Sequence, residues 1–198
     1  MSVNVEYSSK EVSQVVLQNV LKMLVRRNTI ETHEKLLQDL TNDFTDKGIV
    51  EFQKISINMS NAKLSSIVQG SPLDDYLRNN LDIHKIIIMK EPSKKVIKQV
   101  REEYPNAEIF FEFEMMEDIP SKIFIPEHQL LTEDEKKNIL ETFKETELAK
   151  INDTDIMSRY YRAKLGDIFR IIRPSITAGK NIFYRRVVVG KIDQLFEN

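Results

Sequence analysis

The stretch IIIMKEPSKKVIKQVREEYPNAEIFFEFEM, residues 86–115, decides the fold. Ile86-Ile87-Ile88-Met89 is apolar on both faces, as a central strand covered on two sides must be. Pro92-Ser93 then opens a helix that carries Val96, Ile97 and Val100 toward a core. Residues 109–115 read as a further strand. Strand, helix and strand in this spacing make a βαβ unit, which places the two strands parallel in a small α/β domain.

Working back toward the start, the apolar residues between Val50 and Met59 mostly alternate, which suits one half-wet strand with an irregularity near Gln53 and Lys54. Residues 61–70 are a polar connection, and Ser71-Pro72 caps and opens a short helix that runs through Leu81. Two helices precede the first strand. In one, Ser8 and Glu11 stand at capping-box spacing ahead of Val16, Leu17, Val20, Leu21, Met23 and Leu24, and it ends near Arg26 to Asn28. The other spans about residues 31–44, with Leu36, Leu37 and Leu40 as its buried stripe and Gly48 at its exit.

Working forward, Asp118-Ile119-Pro120 leaves the α/β domain, and from Ile125 the pattern changes. Thr132 and Glu135 form a second capping box, for a helix that turns Ile139, Leu140 and Phe143 toward a core. Asp155 caps a short helix over residues 156–161. Strands at residues 167–173 and 181–189 flank the turn-rich segment from Pro174 to Lys180. The expected fold is thus an α/β domain with a parallel strand pair over residues 1–122, followed by a small α+β domain over residues 123–198.

With 198 residues, 41% of them hydrophobic, the chain has enough apolar mass for two small cores. It has no cysteine, so disulfides, thiolate zinc sites and a cysteine nucleophile are excluded, and a reducing compartment is expected. No apolar run approaches the roughly 18 residues of a membrane span, so no membrane partner is expected. A formal charge of -2 argues against a free-standing nucleic-acid binder. Charge is uneven, however: between Arg159 and Lys191 the many Arg and Lys residues are opposed only by Asp167. From the residues alone this end reads as a nucleic-acid patch, a docking surface for an acidic partner, or a solvated face.

The five glycines, Gly48, Gly70, Gly166, Gly179 and Gly190, are too scattered for a P-loop or a dinucleotide fingerprint. His33, His84 and His128 stand apart without metal-ligand spacing, and His128 reads as a structural histidine in a linker. Ser175 has no histidine near it in sequence to act as a base. A metal-dependent nuclease would draw on Glu51, Lys54, Asp74, Glu112 and Glu114, the last two sharing a strand face. The carboxylate-x-lysine triplet of such sites is missing there, so a solvated strand face is the better account. No catalytic residue, metal or cofactor is assigned.

The C-terminal third carries separated motifs: Ile125-Pro126-Glu127-His128, Thr132-Glu133-Asp134-Glu135, residues 155–160 ending in Arg159-Tyr160, Arg173-Pro174-Ser175-Ile176-Thr177-Ala178-Gly179, and Tyr184-Arg185. In this order and spacing they resemble the assembly domain of the fifth shared subunit of eukaryotic DNA-dependent RNA polymerases, a domain that corresponds to the H polypeptide of archaeal RNA polymerases. The N-terminal elements follow that family's order as well, and a two-domain chain resembles the eukaryotic or large-DNA-virus version. Two positions depart from the pattern. Ile156 stands where the family has proline and Ile176 where it has glutamate, which removes an acidic group from the turn.

The resemblance implies a non-catalytic subunit in transcription, located in the nucleus if cellular, or at a cytoplasmic replication site or in the virion if viral. Its C-terminal domain would dock on the largest polymerase subunit, among other subunits, through Pro126, Glu127, His128, Arg159, Tyr160, Gly166, Arg173, Ser175, Thr177, Gly179, Tyr184 and Arg185. Its N-terminal jaw would lie beside downstream duplex DNA, with Pro92, Ser93, Lys94 and Lys95 nearest and the contact weak and sequence-independent. A stand-alone nucleic-acid-binding regulator that has borrowed the domain is the competing expectation.

Overall fold

Ser8 starts the first helix as its sequence spacing requires: its Oγ accepts from the Glu11 amide at 3.4 Å, and the Glu11 carboxylate accepts from the Ser8 amide at 2.7 Å. From there the computed structural model describes residues 7–60, 64–175 and 179–196. The chain forms two compact units, Met1–Asp118 and Ile119–Asn198.

In the first unit, α1 (Ser9–Arg26) buries Val16, Leu17, Val20, Leu21, Met23 and Leu24. The second helix, α2 (Glu34–Lys47), begins three residues later than expected. Its Leu36, Leu37 and Leu40 are only half-buried and Phe44 alone is fully covered, because a helix resting on one other helix and a sheet edge closes only a narrow seam. Gly48 ends it at φ 70°, where a Cβ would also stand 3.1 Å from the Met59 carbonyl oxygen.

The single strand expected over residues 50–59 is two strands, β1 (Ile49–Phe52) and β2 (Ile55–Ser60), paired antiparallel. Gln53 and Lys54 between them have φ 44° and 63°, the two-residue hairpin turn whose twist matches its strands. Next, β2 pairs parallel with β3 (His84–Met89), and β3 parallel with β4 (Ala107–Phe111), in the order β1-β2-β3-β4. The last strand stops earlier than predicted. Residues 112–115 form a helical turn, α5, because the Glu114 carboxylate accepts the Phe111 amide at 2.9 Å and bends the chain. Glu112 and Glu114 therefore share no strand face.

Register divides the sheet into two faces. Ile87 and Met89 point to α3 (Pro72–Arg78) and α4 (Lys94–Glu103), packing with Leu77, Val96, Val100 and Tyr104. Ile57, Ile86, Ile88 and Phe110 point the other way. There α1 lies close, with Ser13 Oγ 3.5 Å from Met59 Sδ. Lys85 is buried on the α3 face and donates to the carbonyl oxygens of Leu77, at 2.8 Å, and Asn79, so a cation closes the negative end of α3.

The second unit is built on a sheet of order β5-β7-β8-β6. Its long members are β7 (Ile168–Ser175) and β8 (Gly179–Val188), both reaching further into the turn than expected. The flanking strands β5 (Glu127–Leu130) and β6 (Ala149–Asn152) were not foreseen, and His128 lies in a strand rather than a linker. Capped as predicted, α6 (Glu133–Thr142) packs Ile139 and Leu140 against Leu131, Leu148 and Ile168, but Phe143 just beyond it is 43% exposed and serves no core. On the opposite face, α7 (Ile156–Tyr160) leads to Tyr161 and Ala163, which cover Ile151, Phe169, Ile171 and Val187.

Candidate partner interface

The sheet of the second unit sorts the sequence-predicted residues by face. His128, Ile171 and Phe183 lie in one row across β5, β7 and β8, and Leu130, Phe169 and Arg185 in the next. Alternation puts Arg173 on that face too. His128 Nδ1 is 2.7 Å from the Pro126 carbonyl oxygen and its ring stands edge-on to Phe169, with centroids 5.8 Å apart. Burial pushes the His128 imidazole below its ordinary range, partly countered by the bond to Pro126, so the ring is a neutral structural element at pH 7.

Asp155 caps α7 by accepting the Met157 amide at 2.8 Å, so the helix begins with Ile156 and needs no proline there. Tyr160 is buried to 2% exposure and packs edge-on against Tyr161, which in turn packs on Phe169. Arg159 is half-buried on the same helix. Gly166 turns the chain at φ 86° and its amide donates to the Val187 carbonyl at 3.0 Å. Glu127 is exposed and accepts from Gln129 at 2.6 Å.

Arg173 and Arg185 are both exposed. The Arg173 guanidinium stands 5.9 Å from the centroid of the Phe183 ring. Tyr184 faces the other way, packed on the Leu131, Leu148 and Ile168 cluster. On that second face the arginines are already matched, Arg170 with Glu135 at 3.2 Å and Arg186 with Glu145, while Lys150 and Lys180 are exposed there. The fold thus brings His128, Arg173 and Arg185 together and sets Tyr184 apart. Ser175 and Gly179 face each other at the end of the ladder, Gly179 at φ 71°. Thr177 and Ile176 lie outside the described residues. Sequence reading missed Phe183, whose only signal was an aromatic two residues before Arg185 on an alternating strand.

In the first unit, Pro92 is buried and Ser93 caps α4, accepting the Val96 amide at 3.2 Å while its hydroxyl donates to the Ser65 carbonyl at 2.9 Å. Lys94 and Lys95 are exposed on the first turn. The residues weighed for a nuclease are dispersed: Glu51 lies on β1, Lys54 in the hairpin turn, Glu112 and Glu114 on α5. The Asp74 carboxylate is taken up by the Tyr104 hydroxyl, the Gly70 amide at 2.8 Å and Arg78 Nε at 2.7 Å. Among the described residues no group of three or more His, Asp and Glu stands close enough to hold a metal ion.

An unforeseen cluster is Glu108, His84 and Arg27. Arg27 Nη2 is 3.0 Å from Glu108 Oε2, and His84 Nε2 contacts Glu108 Oε1. Burial opposes the charge on Glu108, but the Arg27 guanidinium and the His84 bond outweigh it and hold the carboxyl at about 2. The cluster ties the end of α1 to β3 and β4.

Two small mixed α/β units make up the chain, one with a mostly parallel four-stranded sheet and one presenting a basic ribbon. Residues 117–187 match the family described as RNA polymerase Rpb5, C-terminal domain. The chain is 30% identical to DNA-directed RNA polymerase subunit 5 of Acanthamoeba polyphaga mimivirus over 199 residues, covering 91% of this chain and 94% of that one. It is 40% identical over 83 residues to subunit RPABC1 of DNA-directed RNA polymerases I, II and III of Caenorhabditis elegans, covering 41% and 39%. Subunit Rpo5 of Pyrococcus horikoshii is 44% identical over 68 residues, which is 33% of this chain and 83% of the archaeal one. The chain belongs to the RNA polymerase subunit 5 family.

Proposed function

We propose that this chain is a non-catalytic subunit of a multi-subunit DNA-dependent RNA polymerase. The observation that carries the reading is the mimivirus alignment, which runs through both units rather than through one borrowed domain. The C-terminal unit, residues 123–198 with the preceding linker, is the assembly domain and docks on the largest polymerase subunit through the face that carries Arg173 and Arg185. Two exposed guanidiniums suit an acidic partner, since arginine meets carboxylates with two parallel hydrogen bonds.

The N-terminal unit, Met1–Asp118, serves as a jaw beside downstream duplex DNA. Its Lys94 and Lys95, exposed at the start of α4, are placed for a few phosphate contacts. Few contacts mean weak, salt-sensitive and sequence-indifferent binding, which lets DNA slide. The subunit works wherever its polymerase does, in the nucleus of a cell or at the replication site or in the virion of a large DNA virus.

Affinity purification of a tagged chain from its native source or from reconstituted polymerase tests this reading. The catalytic subunits are expected with the native chain and absent with Arg173→Glu/Arg185→Glu, whose circular dichroism should be unchanged. Recovery of the native chain alone, or with DNA only, would count against it.

A further inference from the structure

The ribbon of β7 and β8 outruns the rest of its sheet. Its strands pair with each other as far as Ser175 and Gly179. On one side β5 covers only Phe169 to Ile172, and on the other β6 covers only Arg185 to Val188. Beyond them, among the described residues, neither edge of the ribbon pairs with a further strand, and the two edges and the two faces differ.

On the β7 side that edge is short and contains Pro174, which has no N–H to offer and blocks strand pairing. On the β8 side it runs from Gly179 to Phe183 without proline, and among the described residues no other strand or loop bonds its outer N–H and C=O groups. Five residues at about 3.4 Å each give about 17 Å of unpaired edge. The faces differ as well. Arg173, Phe183 and Arg185 share one, where Phe183 is 47% exposed and, among the described residues, neither arginine has a carboxylate partner. On the other, Arg170 and Arg186 already have theirs.

We propose that the outer edge of β8 from Gly179 to Phe183 receives an extended acidic segment of another polymerase subunit as an added strand in line with β6, with Phe183 as its apolar anchor and Arg173 and Arg185 as its charge partners. This rests on the subunit reading and adds the edge, the face and the chemistry of the occupant. Backbone bonds fix the register of such a strand, and alternate side chains decide which sequence fits. A second copy of this chain is disfavoured, because edge-to-edge pairing would bring the arginines of both ribbons together.

The test is hydrogen–deuterium exchange on the full chain, free and in reconstituted polymerase, together with incorporation of Phe183→Ser and of Ile182→Ser, its neighbour on the opposite face. Alternate amides between residues 179 and 183 should gain protection on assembly. Recovery of Phe183→Ser should fall at least about tenfold and that of Ile182→Ser should stay near native, both variants melting like the native chain. Unchanged exchange at 179–183 in an incorporated chain, or an Ile182→Ser defect as deep as that of Phe183→Ser, overturns the proposal and leaves the subunit reading standing. If Phe183→Ser fails to fold, the exchange result on the native chain decides alone. Failure of the native chain to enter the polymerase removes the subunit reading itself.

Discussion

Glu108 stands where two basic side chains converge, and its energetics set an acid limit for the first unit. An ordinary glutamate titrates near 4.5, and Glu108 is held at about 2. A carboxylate with a depressed folded value contributes stability that is complete above the unfolded value and lost as pH falls through the folded one. Glu108 therefore contributes fully above pH 4.5 and loses its contribution between pH 4.5 and 2, a difference on the order of 3 kcal/mol. Glu108→Gln should lower stability by about that amount at pH 7 and flatten the acid limb, measured by urea unfolding at a series of pH values. The cluster was not legible in the sequence: His84 and Arg27 lie 24 and 81 residues from Glu108, and nothing local marks such a pair. Gly190 is a second hidden position. A Cβ there would meet Thr154 Oγ1 at 2.3 Å and Asn152 Cβ at 2.8 Å, so Gly190→Ala should cost about 1–3 kcal/mol in a thermal melt of the chain.

Elements with several apolar residues in one period were readable, and elements shorter than a period were not. The strand of Ile86 to Met89 and the Ser93-capped α4 were legible because apolar run, cap and periodicity agree. Of the residues in β5 and β6 only Ile151 is fully buried, so four-residue strands offered no alternation to detect. The β1–β2 hairpin was hidden for a different reason. Its turn carries Gln53 and Lys54 in left-handed conformations that side chains resist, where Asn-Gly would have announced it. Replacing the pair, Gln53→Asn with Lys54→Gly, should relieve that strain and raise stability by about 1 kcal/mol, read as an upward shift of the denaturation midpoint with an unchanged slope. A fall in stability would mean that the long side chains contribute contacts outweighing the strain.

At the scale of the molecule, the motif order from Pro126 to Arg185 was legible because it combines core members, such as Tyr160 and Tyr184, with exposed side chains that the core does not require, Arg173 and Arg185. Each unit has hydrophobic clusters of its own: Ile87, Met89, Val96 and Val100 in the first, and Ile151, Phe169, Ile171 and Val187 with Leu131, Leu148 and Ile168 in the second. Residues 119–198 are therefore expected to fold without the first unit, though with a modest margin, since a domain of this size buries a smaller share of its surface than the whole chain. On the proposed division of labour the fragment should also enter the polymerase and compete with the full chain for its place, while residues 1–118 should do neither. The measurement is a competition with differently tagged fragments, scored by the tag recovered with the catalytic subunits, alongside circular dichroism of each fragment alone. A folded C-terminal fragment that fails to enter would move the docking surface into the first unit. One that enters but leaves the polymerase's grip on downstream duplex more salt-sensitive than the native complex would assign the lost phosphate contacts to the jaw, and Lys94→Glu/Lys95→Glu in the full chain should reproduce part of that loss without impairing assembly.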